Sequence, residues 1–219
     1  SMSALPEEIA KPIRLDLGCG KDKRKDGDWL GVDTRPFSGV DYVWNLANTP
    51  WRLVNIEYQD TKERVDGDGA AITIGLADEK YAQKEWPIIE ESSIEEVHCS
   101  HFLEHLTALE RIRFVNELYR VLKPGCKATI ITPHWASCRA YGDLTHQWPP
   151  VSEFWWYYLS KPWRADNAPH NDGYTCDFEA VWGYGMRPDV AVRPPDFQQF
   201  AMANYKEAIT DMQCTLTKK

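Results

Sequence analysis

Two short segments near the start of the chain carry residue types that suit nucleoside binding. The apolar run 13–17 ends in Gly18-Cys19-Gly20, and the run 30–32 ends in Asp33. An apolar run that stops at Gly-x-Gly predicts a buried strand and a tight turn, where backbone N–H groups can approach a ligand because glycine has no Cβ. A carboxylate at the tip of the second strand can accept hydrogen bonds from ribose hydroxyls. The pattern therefore predicts a nucleoside-binding site.

A later segment carries residues that suit proton transfer. His134 is followed by Asp143 and His146, which share an Asp-x-x-His spacing, and then by the aromatic run 154–158. A carboxylate can orient one ring nitrogen of a histidine while the other nitrogen takes a proton from a substrate. The sequence leaves open whether Asp143 reaches His146 or His134, and whether the pair is catalytic or a structural hydrogen bond.

Apolar runs predict the strands that must position these residues. The predicted strands are 13–17, 30–33, 41–45, 93–100, 128–132, 176–182 and 209–216. The segment 21–28 has no apolar face, so we expect no packed crossover helix after the first strand. A helical turn is predicted at 196–203, between the last two strands.

One long helix is predicted between the fourth and fifth strands. Thr107-Ala-Leu-Glu110 matches a capping box, in which the cap contributes about 1 kcal/mol. Apolar side chains then recur at helical spacing and predict one buried face, formed by Leu109, Ile112, Val115, Leu118 and Leu122. Lys123-Pro124-Gly125 ends the helix.

The motifs resemble those of a known family. Leu15-Asp-Leu-Gly-Cys-Gly20, with the later Gly31-Val-Asp33, resembles motifs I and II of class I S-adenosylmethionine (SAM) methyltransferases. A dinucleotide fingerprint is not met, because Lys23 stands where its third glycine belongs. Ser100-His-Phe-Leu-Glu-His-Leu106 resembles the segment after the fourth strand of type-11 methyltransferases, and a helix followed by Leu-Lys-Pro-Gly and a strand is also typical of the family.

The resemblance implies the architecture. We expect one domain over 1–219, with an α/β, doubly wound, Rossmann-like sheet of seven mostly parallel strands and an antiparallel closing strand. Roughly 35 residues more than the loop-length norm separate the third and fourth strands, which predicts an insertion at about 52–91. A hairpin or a short appended strand pair is predicted inside it at 66–75. The segment at about 134–173 is expected to bind the methyl acceptor.

The resemblance also implies SAM as the cofactor and S-adenosylhomocysteine as its product. The implied cofactor-binding residues are Asp16, Gly18, Cys19, Gly20, Asp33, Asn45, Leu46, Ser100 and His101. Asn45 stands where the family usually has an Asp that contacts the adenine amino group, and its side-chain oxygen can make the same contact; Asn is also a common turn residue. Glu104 and His105 are expected to fix the loop, since this segment recurs across many substrate classes.

Methyl transfer from a sulfonium needs an in-line donor and acceptor, and positioning supplies roughly 7–11 kcal/mol. A hydroxyl acceptor also gains from a general base, typically about 10²–10⁴-fold. The histidines therefore favour O-methylation of a small or oligomeric hydroxylated acceptor, such as a saccharide or nucleotide. His146 is the first choice of base and His134 the second, with Asp143 orienting one of them. N-methylation, and methylation of a modified nucleotide, are alternatives.

A different class of function is a non-catalytic SAM-binding protein that uses the insertion at 52–91 as its partner surface. Signatures of DNA-base methyltransferases are missing, because no Asn/Asp-Pro-Pro-aromatic motif follows the fourth strand and no Pro-Cys pair occurs. The histidine and aromatic residues of 134–158 favour the enzyme, since a binding protein needs no acceptor pocket.

The net charge, the hydropathy and the cysteine content restrict which binding partners and cellular compartment the chain is expected to have. The 219 residues carry a net charge of −8, which disfavours binding to duplex nucleic acid, and no long apolar run predicts a membrane span. Six cysteines without a C-x-x-C pair predict reduced thiols in a cytoplasmic compartment and no zinc site. Asp66-x-Asp68-Gly69 lacks the later ligands of a calcium loop, so no metal is expected.

Overall fold

A computed structural model describes residues 13–53 and 87–219, and these form one seven-stranded sheet with the order β3-β2-β1-β4-β5-β7-β6. The strands are β1 Arg14–Leu17, β2 Trp29–Asp33, β3 Tyr42–Val43, β4 Ile94–Ser100, β5 Leu122–Pro133, β6 Phe178–Met186 and β7 Ile209–Lys218. The pairings among β1 to β5 are parallel, and β7 runs antiparallel to both of its neighbours, β5 and β6. The predicted α/β sheet with an antiparallel closing strand is confirmed.

Helices of very different length connect these strands. They are α1 Ala108–Val121, α2 Arg139–Gly142, α3 Glu153–Tyr157, α4 Lys161–Asn167, α5 Pro188–Ala191 and α6 Pro195–Asn204, with a 3₁₀ turn at Leu103–His105. The chain between β1 and β2 is not helical, as its polar sequence predicted. Among the described residues, α1 is therefore the long crossover helix of the sheet.

The predicted capping box at the start of α1 is present. Thr107 Oγ1 accepts from the N–H of Glu110, and the Glu110 carboxylate accepts from the N–H of Thr107. The predicted buried face is wrong at its first residue, because Leu109 is 67% exposed. The face instead begins at Arg111 and is rotated about the helix axis relative to the prediction. Its buried residues are Arg111, Phe114, Val115, Glu117, Leu118 and Val121.

The core lies between α1 and the sheet. Phe114, Val115 and Leu118 of α1 join Leu15 and Leu17 of β1 in one buried cluster that continues through the later strands. Burying a side chain of this size stabilises a fold by about 1.5–3 kcal/mol. This cluster holds the carboxyl ends of the strands in a common frame.

Two predicted boundaries differ from the structure. The third strand covers only Tyr42–Val43, because Asn45 begins a turn in which its Oδ1 accepts from the N–H of Ala47 at 3.0 Å. The fifth strand begins at Leu122, six residues before its predicted start, since Leu122 pairs with Ile94 of β4. The hairpin predicted at 66–75 lies outside the described residues.

Within the described ranges, no helix is both long enough and apolar enough to cross a membrane.

Candidate functional site

The parallel strands β1, β2, β4 and β5 end at one edge of the sheet. Their last residues are Leu17, Asp33, Ser100 and Pro133, and the loops that follow carry most of the predicted site residues. In open α/β sheets, ligands bind outside the carboxyl ends of the strands. This edge of the sheet is therefore the candidate ligand-binding region.

The glycine turn, Gly18-Cys19-Gly20, is joined to the end of β2. Asp33 Oδ2 accepts from the N–H of Gly20 at 2.9 Å, and Asp33 Oδ1 accepts from the N–H of Arg35 at 3.0 Å. Gly20 has a positive φ of 54°, and a Cβ built on it would meet no atom within 4 Å. The turn and the carboxylate thus stand side by side next to open space.

Gly18 also packs closely against the loop that follows β4. Its φ is 65°, and a Cβ at this position would lie 2.6 Å from the ring of Phe102. The aromatic side chain that follows β4 therefore lies where a side chain on residue 18 would have to be. Gly18 is required for this close packing between the β1 and β4 loops.

Asp16 precedes the glycine turn and Cys19 lies within it, and both side chains are largely withdrawn from solvent. Asp16 is buried, and its Oδ2 accepts from the N–H of Arg24 at 2.7 Å, which fixes the chain that leaves the turn. Burial raises the pKa of Asp16, although the Arg24 contact opposes this rise. Burial also raises the pKa of the Cys19 thiol to about 12, helped by the charges of Asp16 and Asp33. Cys19 is therefore a neutral thiol at physiological pH.

Asn45 and Leu46 follow β3. The Asn45 side chain accepts from the N–H of Ala47, which is the turn role that the sequence left open. Its oxygen retains a second lone pair, so the turn does not exclude an adenine contact. Leu46 is buried, and its carbonyl oxygen accepts from Trp51 Nε1 at 3.0 Å.

The chain turns sharply where β4 ends. Ser100 is half-buried, and His101 adopts a positive φ of 52°, a conformation that is uncommon for a residue with a side chain. The N–H of His101 donates to Ile131 O at 2.9 Å, and its Nδ1 lies 3.4 Å from Glu104 Oε1. Hydrogen bonding to Glu104 raises the pKa of His101, against the effect of burial. Backbone strain of this kind clusters at functional sites.

Three side chains from two distant segments meet beyond this turn, and we name them the Glu–His–His cluster: Glu104, His105 and His146. One potential metal-ligand atom of each lies within 4.8 Å of the others. The two imidazole rings meet edge to face at an interplanar angle of 78°, with centroids 4.7 Å apart. His146 was the predicted base, whereas Glu104 and His105 were expected only to fix the loop.

Asp143 reaches His105 through an intermediate residue. Its Oδ1 accepts from the N–H of Thr145 at 2.8 Å and from the Thr145 hydroxyl at 2.7 Å, and Thr145 Oγ1 lies 2.9 Å from His105 Nδ1. The hydrogen bond from the Thr145 N–H, and after it the one from the Thr145 hydroxyl, lowers the pKa of Asp143. The Asp143 carboxylate bonds neither of the two histidines considered in the sequence analysis, although the backbone N–H of His146 donates to the Asp143 carbonyl oxygen at 3.1 Å.

His134 is buried with both ring nitrogens engaged. Its Nδ1 accepts from the N–H of Ala136 at 3.2 Å, and its Nε2 lies 2.7 Å from Glu153 Oε1. Burial by itself would raise the pKa of Glu153, but hydrogen bonds from His134 and Trp135 lower it to about 2. The predicted second-choice base therefore forms a structural hydrogen bond with Glu153, a residue that the sequence analysis did not single out.

Arg111 is the positioning residue that sequence reasoning missed. It is buried, its Nε donates to Leu103 O at 3.1 Å, and its Nη2 donates to Gln147 O at 3.1 Å. Its other bonds go to the carbonyl oxygens of Glu104 and Pro149. One guanidinium thus joins the 3₁₀ turn that carries His105 to the loop that carries His146. The signal was available, since Arg111 lies on the same helical face as Val115 and Leu118.

A cleft of about 400 Å³ lies beside α1 and is lined by residues that include Arg113, Glu117 and Lys218. None of the predicted site residues lines it. Hydrogen-bonded acids, the glycine turn and histidines instead converge at the carboxyl ends of the strands, which makes that edge the candidate site.

Comparison with known proteins confirms the fold. The chain is similar to a SAM-dependent methyltransferase from Archaeoglobus fulgidus, with 15% identity, a TM-score of 0.51, and coverage of 95% of this chain and 87% of that one. A geranyl diphosphate C-methyltransferase from Streptomyces coelicolor A3(2) has 12% identity, a TM-score of 0.47 and coverage of 95% and 71%. The [4+2]-cyclase SpnF has 14% identity, a TM-score of 0.49 and coverage of 96% and 76%.

No family model matches the chain, and no curated protein matches it. The Archaeoglobus structure shows that the chain has the fold of SAM-dependent methyltransferases, as the motif resemblance implied.

Proposed function

We propose that the chain is a SAM-dependent methyltransferase that acts on a hydroxylated acceptor. The observation that carries this proposal is the contact between Asp33 and the Gly20 N–H beside open space, on this fold and at the carboxyl edge of the sheet. Asp33 Oδ2 keeps a lone pair for a ribose hydroxyl, because a carboxylate oxygen accepts more than one hydrogen bond. The residues present therefore fit a nucleoside cofactor.

In this proposal Gly20 and Asp33 hold the cofactor, Asn45 and Leu46 adjoin the adenine, and Ser100 and His101 follow the strand nearest the reacting group. Asp16, Gly18 and Cys19 shape the turn from within. SAM supplies an electrophilic methyl group on a sulfonium. The protein's own contribution is to orient donor and acceptor in line, which is where most of the rate enhancement of such a transfer arises.

The segment 134–173 is the proposed acceptor-binding part. It presents large aromatic side chains to solvent next to the carboxyl edge: Trp135, Trp148, Phe154 and Tyr157 are 47%, 77%, 60% and 43% exposed. Exposed aromatic faces suit stacking on a sugar or a nucleobase. A small or oligomeric saccharide, or a nucleotide, is therefore the proposed acceptor class.

His146 is the proposed general base for O-methylation. Its Nδ1 lies 3.2 Å from the Ala140 carbonyl oxygen, which can only accept, so Nδ1 carries the proton and Nε2 has a lone pair. His134 has no comparable free nitrogen, because Glu153 and the Ala136 N–H occupy both of its ring positions. Of the two predicted bases, His146 is the one whose geometry suits the role.

Cofactor binding is tested by calorimetry with SAM and S-adenosylhomocysteine. Asp33→Ala should weaken binding by about 1–3 kcal/mol, since the ribose hydroxyls and the Gly20 N–H lose their acceptor. Asp196→Ala, an exposed acid on α6, is the matched control and should bind normally. Equal affinity of Asp33→Ala and the control would contradict the assignment of Asp33.

Catalysis is tested by methyl transfer from labelled SAM into pools of small molecules, sugars, nucleotides and proteins. The proposal expects label in a sugar or nucleotide pool, on an oxygen atom. SAM binding without label in any pool would contradict the enzyme and favour the non-catalytic binding protein. Label on nitrogen would contradict the O-methylation.

A further inference from the structure

The Glu–His–His cluster has features that proton transfer at His146 does not explain. It combines two imidazoles and one carboxylate, with one potential ligand atom of each within 4.8 Å of the others. Glu104 and His105 come from the 3₁₀ turn after β4, and His146 comes from the loop after α2. The contacts around the three side chains decide what the cluster can bind.

In both histidines the hydrogen bond to a described residue is made by Nδ1, and Nε2 has no hydrogen-bond partner among those residues. The His146 Nδ1 proton points to the Ala140 carbonyl oxygen. Thr145 Oγ1 donates its own hydrogen to Asp143 at 2.7 Å, so it accepts from the Nδ1–H of His105 at 2.9 Å. In each ring the tautomer is therefore set, and the remaining nitrogen is a lone-pair donor suited to a metal ion.

The third side chain supplies an unpaired oxygen. Glu104 is only 5% exposed, its Oε1 faces His101, and its Oε2 is buried without a hydrogen-bond partner among the described residues. A buried carboxylate oxygen without a donor costs free energy, and such an atom in a native fold needs an explanation. A bound cation would satisfy it.

Each member of the cluster also has an outer partner. His101 adjoins Glu104, Thr145 and Asp143 hold His105, and the Ala140 carbonyl holds His146. Carboxylates, carbonyls and hydroxyls that bind the second nitrogen of a histidine are typical of metal sites. The charge of Arg111 acts on the Glu104 carboxylate, but all of the guanidinium hydrogen bonds go to backbone carbonyl oxygens, so none of them occupies the carboxylate oxygens.

We propose that Glu104, His105 and His146 bind a first-row transition-metal dication such as Zn²⁺. Two imidazoles and a carboxylate are ligands that suit Zn²⁺, Co²⁺ or Fe²⁺ better than Mg²⁺ or Ca²⁺. Ligand atoms around tetrahedral Zn²⁺ lie about 3.3 Å apart, so side-chain shifts of about 1 Å close the site. Three protein ligands leave a position open for water or substrate.

This cation site stands on the geometry of the cluster, and only its role in catalysis rests on the proposed function. A cation that occupies the His146 lone pair would favour ionisation of an acceptor hydroxyl in place of direct proton transfer to the imidazole. The sequence analysis expected no metal because it considered only paired cysteines and calcium loops. Glu104 and His105 are neighbours in the chain but His146 lies in a later loop, so no local sequence motif joins the three ligands.

The test is a titration of the metal-stripped, tag-free full chain with Co²⁺, followed by visible absorption, and with Zn²⁺, followed by calorimetry. We expect one cation per chain and the absorption bands of a low-symmetry Co²⁺ site. His105→Ala and His146→Ala should each weaken binding by more than the about 10–100-fold that loss of an outer partner costs. His170→Ala, an exposed histidine outside the cluster, is the control and should bind as the parent chain does.

Thr145→Val is a second, milder variant that keeps all three ligands and should weaken Co²⁺ binding about 10–100-fold. SAM affinity is measured on the same samples, so that a failed fold or a failed cofactor site is distinguished from a failed metal site. Absence of Co²⁺ bands in the parent chain, or equal affinity of His146→Ala and His170→Ala, would overturn the proposal.

Discussion

The glycine turn and the Glu–His–His cluster lie on the same edge of the sheet, yet they are assembled differently. In the turn, Asp33 reaches the Gly20 N–H across 13 residues, and Asp16 reaches the Arg24 N–H across eight. In the cluster, His105 contacts Thr145 across 40 residues. The first is built by one β-turn-β unit, and the second requires two loops to dock.

The two regions also differ in how their acids are satisfied. Asp16 and Asp33 accept hydrogen bonds from backbone N–H groups, whereas Glu104 Oε2 is buried without a donor among the described residues. A satisfied acid can shape a turn in the absence of any ligand. An unsatisfied buried acid calls for an explanation, which the proposed cation would supply. The glycine turn is thus complete within one β-turn-β unit, whereas the cluster depends on the docking of two loops.

The largest expected effect comes from the residue that docks the two loops. Arg111→Met removes the donor to Gln147 O and Pro149 O and should lower the free energy of unfolding by about 2–5 kcal/mol, measured by urea denaturation. Arg113→Met, an exposed arginine on the same helix, is the control and should change stability by less than about 0.5 kcal/mol. A similar loss in both variants would show that the docking does not depend on Arg111.

The second prediction separates the regions by function. His146→Ala should leave SAM affinity close to that of the parent chain while methyl transfer falls by about 10²-fold or more, because the histidine lies in the cluster and not at the turn. Binding and rate must be measured separately, by calorimetry and by label transfer. An unchanged rate would mean that the base lies elsewhere or is not needed.

The smallest expected effect concerns the contact between Gly18, in the loop after β1, and Phe102, in the loop after β4. Gly18→Ala places a Cβ 2.6 Å from the Phe102 ring, while Gly20→Ala meets no atom within 4 Å, and both glycines have a positive φ. Both substitutions therefore strain the backbone to a similar extent. The added overlap with the Phe102 ring should make Gly18→Ala less stable than Gly20→Ala by about 1–3 kcal/mol. Thermal or urea denaturation of the pair measures the difference. If Phe102→Ala does not reduce it, the overlap is not its cause.

Much of the fold could be predicted from the sequence because the patterns that specify strands, turns and helix caps lie within a few neighbouring residues. A short apolar run ending in Gly-x-Gly, a capping box at Thr107 and Glu110, and alternation at 209–216 each predict structure from neighbouring residues. All seven predicted strands are present and form one sheet, although the third is shorter and the fifth longer than predicted. The buried face of α1 was predicted less well, because Arg111 and Phe114 rather than Leu109 face the core.

The sequence by itself determined the sheet, the glycine turn and its acid, because strand periodicity, helix caps and turn residues act over a few positions. Only the tertiary structure decided which side chains are partners. It paired His134 with Glu153, linked Asp143 to His105 through Thr145, and placed Phe102 against Gly18. The physical reason is that a ring nitrogen or a carboxylate takes whichever partner the docked loops bring within about 3 Å, and that distance depends on packing far away in the chain.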